Sequence, residues 1–171
     1  LRDYATARGA VGCSIILTNA DGTFASPVGY GTGSASPQSI SAVDRNGDGK
    51  LDLVIADVSG NAAIVLLGVG DGTFGAAASY DVGGYPNRPR SIAVADFNRD
   101  GHLDLAVVTS ETNHAVILRG NGAGGFGAPT PFDAGSIPYS VAAVDFNRDG
   151  QADLVVDDFE ACLPILLGDG D

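Results

Sequence analysis

Short apolar runs separated by Gly, Asp, Asn and Pro recur along the whole chain. In the region 37–82 they occupy residues 39–43, 51–56, 62–67 and 76–80, and they are rich in Val, Ile, Leu and Ala. Runs of this length, bounded by turn residues, predict β-strands. The run at 51–56 is almost continuously apolar, which is typical of strands covered on both faces. The pattern predicts an all-β fold in which sheets stack face to face.

The chain repeats itself with a period of about 50 residues, which indicates a repeat architecture. Segments 37–44, 89–96 and 138–145 align position by position, as do Asp-Gly-Thr-Phe at 21–24 and 71–74 and Gly-Gly-Phe at 124–126. A single four-stranded sheet cannot bury both of its faces, so neighbouring units must stack. Four-stranded antiparallel sheets that stack radially are β-propeller blades. The length of 171 residues corresponds to about three and a half blades.

The repeat divides the chain, taken as one propeller segment over residues 1–171, into four parts. A partial blade covers 1–30, full blades cover 37–82 and 89–134, and residues 138–171 form a blade that lacks its last strand. Propellers typically have about four to eight blades, so one such chain does not close a ring. Two alternatives follow: the chain belongs to a longer protein, or several chains complete one another.

Composition narrows the range of partners. The formal net charge is −12, from 9 Lys and Arg against 21 Asp and Glu, which excludes the basic surface that a nucleic-acid binder needs. No apolar run approaches the roughly 20 residues of a membrane-spanning helix, so membrane insertion is not expected. All but two of the acidic residues are Asp, which is favoured in turns and in calcium loops. Cations are the expected partners.

An Asp-rich loop lies between the first and second predicted strands of three units. Its sequence is Asp-x-Asn-x-Asp-Gly-x-x-Asp, and it starts at residues 44, 96 and 145. Ca²⁺ takes about six to eight oxygen ligands, which side chains at positions 1, 3 and 5 and a carbonyl at position 7 help to supply. An EF-hand carries Glu at position 12, but those positions hold Ile55, Val107 and Val156. Asp recurs at position 9 instead, so the loop joins two strands rather than two helices.

Each of the three loops is therefore predicted to bind one Ca²⁺ ion. The predicted ligands are Asp44, Asn46, Asp48, the Lys50 carbonyl and Asp52; Asp96, Asn98, Asp100, the His102 carbonyl and Asp104; and Asp145, Asn147, Asp149, the Gln151 carbonyl and Asp153. A tight turn alone would explain one such loop, but not three that keep every ligand position. Three divalent ions would halve the formal charge of −12, so folding and calcium binding are expected to be coupled.

These loops, together with Leu-Val-Ile at 53–55 and Gly-Asp-Gly-Thr-Phe at 70–74, resemble the FG-GAP or VCBS repeat. The resemblance covers nearly all of residues 13–171. It implies the propeller of integrin α chains and of many bacterial surface and secreted proteins, with Ca²⁺ between the first two strands of each blade. It does not specify an activity, because such blades serve in adhesion, carbohydrate recognition and scaffolding and as appendages of enzymes.

We therefore expect an extracellular, secreted or cell-surface module that acts in adhesion, recognition or structural self-assembly and is not an enzyme. Calcium loops of this kind fill outside the cell, where the ion is abundant. Two alternatives stay open: a carbohydrate-binding propeller lectin, and the non-catalytic propeller part of a larger secreted enzyme. The sequence does not identify a protein or glycan ligand, and self-association or further sequence is expected to complete the ring.

Two further sets of residues are candidates for binding or cross-linking. Tyr85, Arg88 and Tyr139 lie in predicted inter-blade loops and are candidate ligand-binding residues, although the chain has no Trp to stack on a sugar. Cys13 and Cys162 lie about three units apart. They form either a disulfide, between chains or after ring closure, or two buried small hydrophobic side chains.

Acidic side chains also cluster near residue 158. Asp157, Asp158 and Glu160 suggest the paired carboxylates of a glycosidase. Asp57 occupies the matching region of another unit, which indicates a polar strand end instead. No catalytic residue is predicted.

Overall fold

The computed structural model describes residues 4–6, 12–33, 36–84, 86–159 and 164–169. All regular secondary structure in these residues is β-strand, and the strands form four antiparallel sheets. This confirms the predicted all-β fold. In the described part of the chain, no helix is long and apolar enough to span a membrane.

Two of the sheets have four strands in chain order. Sheet II contains β4 (Pro37–Val43), β5 (Asp52–Asp57), β6 (Ala62–Leu66) and β7 (Ala78–Asp81). Sheet III contains β8 (Pro89–Ala95), β9 (Asp104–Thr109), β10 (His114–Leu118) and β11 (Thr130–Asp133).

Each of the other two sheets has three described strands. Sheet I contains β1 (Tyr4–Thr6), β2 (Gly12–Ile16) and β3 (Val28–Gly31), and sheet IV contains β12 (Ser140–Val144), β13 (Asp153–Asp157) and β14 (Ile165–Leu166). Strands β2 and β3 correspond to the third and fourth strands of sheet II, because Cys13 pairs with Tyr30 as Ala63 pairs with Tyr80.

The central strands carry the core. Strands β5, β6 and β9 are buried at every position, as their nearly continuous apolar sequences predict. The outermost strands β7 and β11 are mostly exposed. The central strands are therefore covered on both faces by the neighbouring sheets.

Three apolar clusters join the four sheets in sequence. Side chains alternate between the faces of a strand, so Leu53 and Ile55 pack towards Cys13 of sheet I, while Val54 packs towards Leu105 of sheet III. A third cluster joins sheets III and IV. Sheets II and III thus each contribute their two faces to different interfaces, as the stacked-sheet prediction requires.

Asp57 is a polar residue at a strand end, as the sequence suggested. It ends β5 but is completely buried. One carboxylate oxygen accepts the Gly60 N–H at 3.1 Å, and the other oxygen has no hydrogen-bond partner. Asp157 is exposed, whereas Asp158 is buried and accepts the Ser136 N–H. Glu160 lies outside the described residues.

Cys13 is a buried thiol in the cluster that joins sheets I and II, with 2% of its surface exposed. Burial raises the pKa of this thiol above its ordinary value, which suppresses the reactive thiolate. Cys162 lies outside the described residues, so the disulfide between the two cysteines stays a prediction.

Candidate metal centres

The three Asp-rich loops connect β4 to β5, β8 to β9 and β12 to β13. Because the sheets share one strand order, these loops lie at the same end of the stack. The second and third loops are in direct contact, since the Arg99 guanidinium donates to the Asp149 carbonyl at 2.7 Å. Position 4 of one loop thus reaches position 5 of the next.

Side-chain oxygens at loop positions 1 and 3 converge on the same backbone group. In the first loop, Oδ1 of Asp44 and Oδ1 of Asn46 both accept the Asp48 N–H, each at 3.1 Å. In the second loop, Asp96 and Asn98 accept the Asp100 N–H, each at 3.2 Å. Two oxygens within bonding distance of one nitrogen must lie close together on the inner side of the loop.

The remaining loop oxygens are also oriented by backbone N–H groups. The second oxygen of position 1 accepts the N–H of position 6 at 2.8–2.9 Å in all three loops. Position 5 accepts the N–H of position 7 at 2.7–2.9 Å. In the third loop, Asn147 also accepts the Asp149 N–H at 3.0 Å. The side chains at positions 1, 3 and 5 therefore curl over their own backbone.

This curled path requires left-handed backbone at two positions in each loop. Position 6 is Gly with φ of 82–85°, as the sequence predicts. Position 4 is also left-handed, at Gly47 (73°), Arg99 (57°) and Arg148 (62°). The left-handed position 4 was not predicted, and Gly47 is its only sequence signal.

The Asp at position 9 has a structural role that the sequence did not reveal. Asp52, Asp104 and Asp153 are completely buried. One oxygen of each accepts a glycine N–H at the end of the third strand, and the other accepts the N–H of loop position 2. These contacts are Asp52 to Gly68 (2.9 Å) and Arg45 (3.3 Å), Asp104 to Gly120 (2.7 Å) and Phe97 (3.0 Å), and Asp153 to Gly168 (2.8 Å) and Phe146 (2.8 Å).

The hydrogen bonds of the position-9 Asp tie the loop to the end of the third strand. Their sequence signal is a glycine that recurs after the third strand. A Cβ at Gly68 would lie 2.1 Å from the Leu51 carbonyl oxygen, and one at Gly120 would lie 2.3 Å from that of Leu103. No side chain fits so close to a backbone oxygen. The repeated Gly thus marks where the end of the third strand passes the Asp-rich loop.

The exposed Asp100 and Asp149 and the buried Asp104 have opposite pKa shifts. The Asn98 amide and the His102 N–H hold the pKa of Asp100 below its ordinary value, and the Gln151 N–H does the same for Asp149. Burial raises the pKa of Asp104, and the negative charges of Asp96 and Asp100 add to the rise. The loop thus concentrates negative charge that a bound cation would neutralise.

The described residues contain no group of three or more His, Cys, Asp or Glu side chains close enough to hold a metal ion. The first two loops therefore bring side-chain oxygens of positions 1 and 3 close together, but no described loop gathers three carboxylates. The donor set still fits Ca²⁺, because it consists only of carboxylate, amide and carbonyl oxygens. Each oxygen has two lone pairs, so an oxygen that accepts one N–H keeps a lone pair for a cation, whereas Oδ1 of Asp44 accepts two, from Gly47 and Asp48.

Two of the predicted ligand-binding residues, Arg88 and Tyr139, lie at the opposite end of the sheets. Arg88 forms an ion pair with Glu111 at 2.9 Å. The Tyr139 ring is 56% exposed and lies 5.3 Å from the Arg90 guanidinium. Arg88 and Tyr139 thus contact different residues, and Tyr85 lies outside the described residues.

Two asparagines at this end hold the connections between sheets and were missed from the sequence. Oδ1 of Asn61 accepts the Asn87 N–H at 2.7 Å, and its amide donates to the Gly84 carbonyl. Asn113 accepts the Ile137 N–H at 2.8 Å. Both asparagines have left-handed φ, 52° and 61°, which Asn tolerates better than most residues. Asn at the turn before the third strand is the signal that could have found them.

Asn61→Gly is expected to destabilise the chain by about 1–3 kcal/mol, because it leaves the buried Asn87 N–H without its acceptor. Glycine tolerates the backbone φ of 52°, so the loss of stability measures the contribution of the Asn61 side chain rather than backbone strain. Urea unfolding followed by circular dichroism measures it. Asn61→Asp, which keeps the acceptor, should lose less, and equal losses for the two variants would contradict this role.

Stacked antiparallel sheets with one loop repeated between their first two strands define a repeat protein of the β-propeller type. The model of the FG-GAP-like repeat matches residues 44–107 and 96–156, together well over half of the chain. The chain belongs to the FG-GAP-like repeat family, whose repeats are of this type. None of the curated proteins matches the chain.

Proposed function

We propose that this chain is a calcium-binding propeller module that acts outside the cell in adhesion, recognition or structural assembly and performs no catalysis of its own. The observation that carries the proposal is the convergence of the position-1 and position-3 oxygens on one N–H. It occurs at Asp48 and again at Asp100. Such convergence supports a cation site because a cation draws several oxygens to one point.

In the first loop, the side chains of Asp44, Asn46 and Asp48 and the carbonyl of Lys50 would hold the ion. Asp52 would contribute a remaining lone pair while it keeps its two N–H bonds. The bound ion supplies positive charge that offsets the repulsion among the carboxylates. The corresponding residues of the other two loops would act in the same way.

The expected affinity of the calcium sites supports an extracellular location. Extracellular calcium modules bind the ion with dissociation constants of about 10⁻⁴–10⁻³ M, which suits the concentrations found outside cells. The predicted side-chain ligands at positions 1, 3 and 5 are half-buried or exposed in all three loops, which supports weak sites of this kind rather than buried high-affinity ones. A structural ion at one end leaves the opposite end of the sheets, with its exposed Tyr139, for contact with a partner.

Calorimetric titration with Ca²⁺ tests the proposal. We expect about one ion per loop, and Asp100→Ala should remove about one of them. Asp133→Ala is the matched control, because Asp133 is an exposed aspartate at the end of β11, outside the three loops, that accepts the Gly135 N–H. Calcium should also raise the melting temperature of the wild-type chain. Absence of any bound ion at millimolar Ca²⁺ would refute the proposal.

A further inference from the structure

A side chain of the second Asp-rich loop holds the third loop across the interface between sheets III and IV. The Arg99 guanidinium, at position 4 of the second loop, donates to the Asp149 carbonyl at 2.7 Å. It also covers Gly150, because a Cβ added there would lie 3.0 Å from Nη2 of Arg99. A Cβ at the corresponding Gly49 or Gly101 would have no atom within 4 Å. Among the described loops, the position-6 glycine is thus covered only in the third.

Arg99 lies between two predicted ligands of the second loop. Asn98 precedes it and Asp100 follows it, and its own backbone is left-handed, with φ of 57°. This conformation is uncommon for a residue other than glycine, so it depends on the loop around it. An ion held by Asn98 and Asp100 would therefore fix the Arg99 backbone, from which the side chain crosses to the next sheet.

The carbonyl that Arg99 contacts belongs to the part of the third loop that orients predicted ligands. The planar peptide unit of the Asp149 carbonyl also carries the Gly150 N–H, which donates to the Asp145 carboxylate at 2.9 Å. The next N–H, that of Gln151, donates to the Asp149 carboxylate at 2.7 Å. The Arg99 hydrogen bond thus fixes the backbone that orients the carboxylates at positions 1 and 5.

The first loop has no such link to the second. Its position 4 is Gly47, which is left-handed like Arg99, with φ of 73°, but has no side chain. Arg45 of the first loop reaches sheet III, but it donates to the Gly124 carbonyl, outside the Asp-rich loops. Position 4 of the third loop is Arg148, which is exposed and has no hydrogen-bond partner among the described residues. The chain therefore contains one linked and one unlinked pair of neighbouring loops.

We propose that Arg99 is a positioning residue that couples calcium binding in the second and third loops, so that an ion in either loop strengthens binding in the other. The coupling rests on the proposed function, because it needs both loops to bind calcium. A loop that is already held in its binding conformation loses less conformational freedom when its ion arrives. The effect is equal in both directions, since coupling between two binding sites is reciprocal. The positive charge of Arg99 opposes the ion only weakly, because it is exposed and screened by salt.

A calcium titration of the isotopically labelled full chain, followed by NMR, tests the coupling. The amides of Gly49, Gly101 and Gly150 report on the three loops separately, because each donates to the position-1 carboxylate of its own loop. Asp100→Ala removes a ligand of the second loop. It should weaken calcium binding in the third loop at least about fivefold, the lower end of typical coupling. Binding in the first loop should stay unchanged.

Arg99→Gly removes the link without straining the backbone, because it gives the second loop the position-4 residue of the first. In this background, Asp100→Ala should no longer change calcium binding in the third loop. Arg148→Gly is the matched control, because it removes the same charge from another exposed, left-handed position 4. It should leave the effect of Asp100→Ala intact. If Arg148→Gly abolishes that effect as well, charge rather than the Arg99 contact couples the loops, and the proposal is wrong.

The proposed function and the coupling fail in different ways. If calcium shifts none of the three glycine amides, the calcium sites and the coupling are both refuted. If the amides shift but Asp100→Ala leaves the affinity of the third loop unchanged, the calcium sites stand and the coupling through Arg99 is overturned.

Discussion

Asp104→Ala is expected to destabilise the chain by about 2–6 kcal/mol even in excess chelator, because it leaves one buried and one partly buried N–H group without an acceptor, each at a cost of about 1–3 kcal/mol. Asp104 is completely buried, and its oxygens accept the Gly120 N–H at 2.7 Å and the Phe97 N–H at 3.0 Å. The first of these bonds joins the loop to the end of β10. Its loss should therefore loosen the sheet as well as the loop.

Asp100→Ala is the matched control in the same loop. Asp100 is exposed and accepts only local groups, the His102 N–H and the Asn98 amide. The Asp100→Ala variant should lose less than about 1 kcal/mol of unfolding free energy in chelator, as surface changes usually do. It should nevertheless bind about one calcium ion fewer. Urea unfolding with and without Ca²⁺ separates the two roles. Equal losses of stability for Asp104→Ala and Asp100→Ala in chelator would show that the position-9 Asp does not tie the loop to the third strand.

The sequence predicted the strands well because their signals are local. Continuous apolar runs marked β5 and β9, and a period of about 50 residues marked the stacking of the sheets. Gly at loop position 6 marked a left-handed turn, which has φ of 82° at Gly49. Each of these features depends on a few neighbouring residues or on direct comparison between units.

The features that sequence reasoning missed depend on partners that are distant along the chain. Asp52 bonds to a glycine 16 residues away, and Asn61 bonds to Asn87, 26 residues away. Asp52 was assigned to the metal site because Asp recurs at position 9 of all three loops, and that assignment stays a prediction. Asp57 was predicted to be a polar strand end, but no local pattern indicated that it is completely buried.

Phe126→Ala is expected to destabilise the chain by about 2–4 kcal/mol. A fully buried Phe→Ala change costs about 3–5 kcal/mol, and Phe126 is partly buried. Its ring contacts Tyr80 edge-on and also lies 4.8 Å from the Arg45 guanidinium, so the change removes an aromatic pair and a cation–π contact. Thermal and urea unfolding measure the loss.

Phe24→Ala is the comparison variant. It separates the packing of a Phe ring between sheets from the effect of the turn that precedes the Phe. Phe24 follows the same Asp-Gly-Thr turn as Phe74, because Asp21 and Asp71 each accept the Thr N–H two residues later at 2.9 Å. Phe24 is nevertheless 56% exposed, so its removal should change stability by no more than about 0.5 kcal/mol. A large gap between Phe126→Ala and Phe24→Ala would mean that insertion between sheets, rather than the local motif, is what stabilises the stack. Equal effects would assign the stabilisation to the turn.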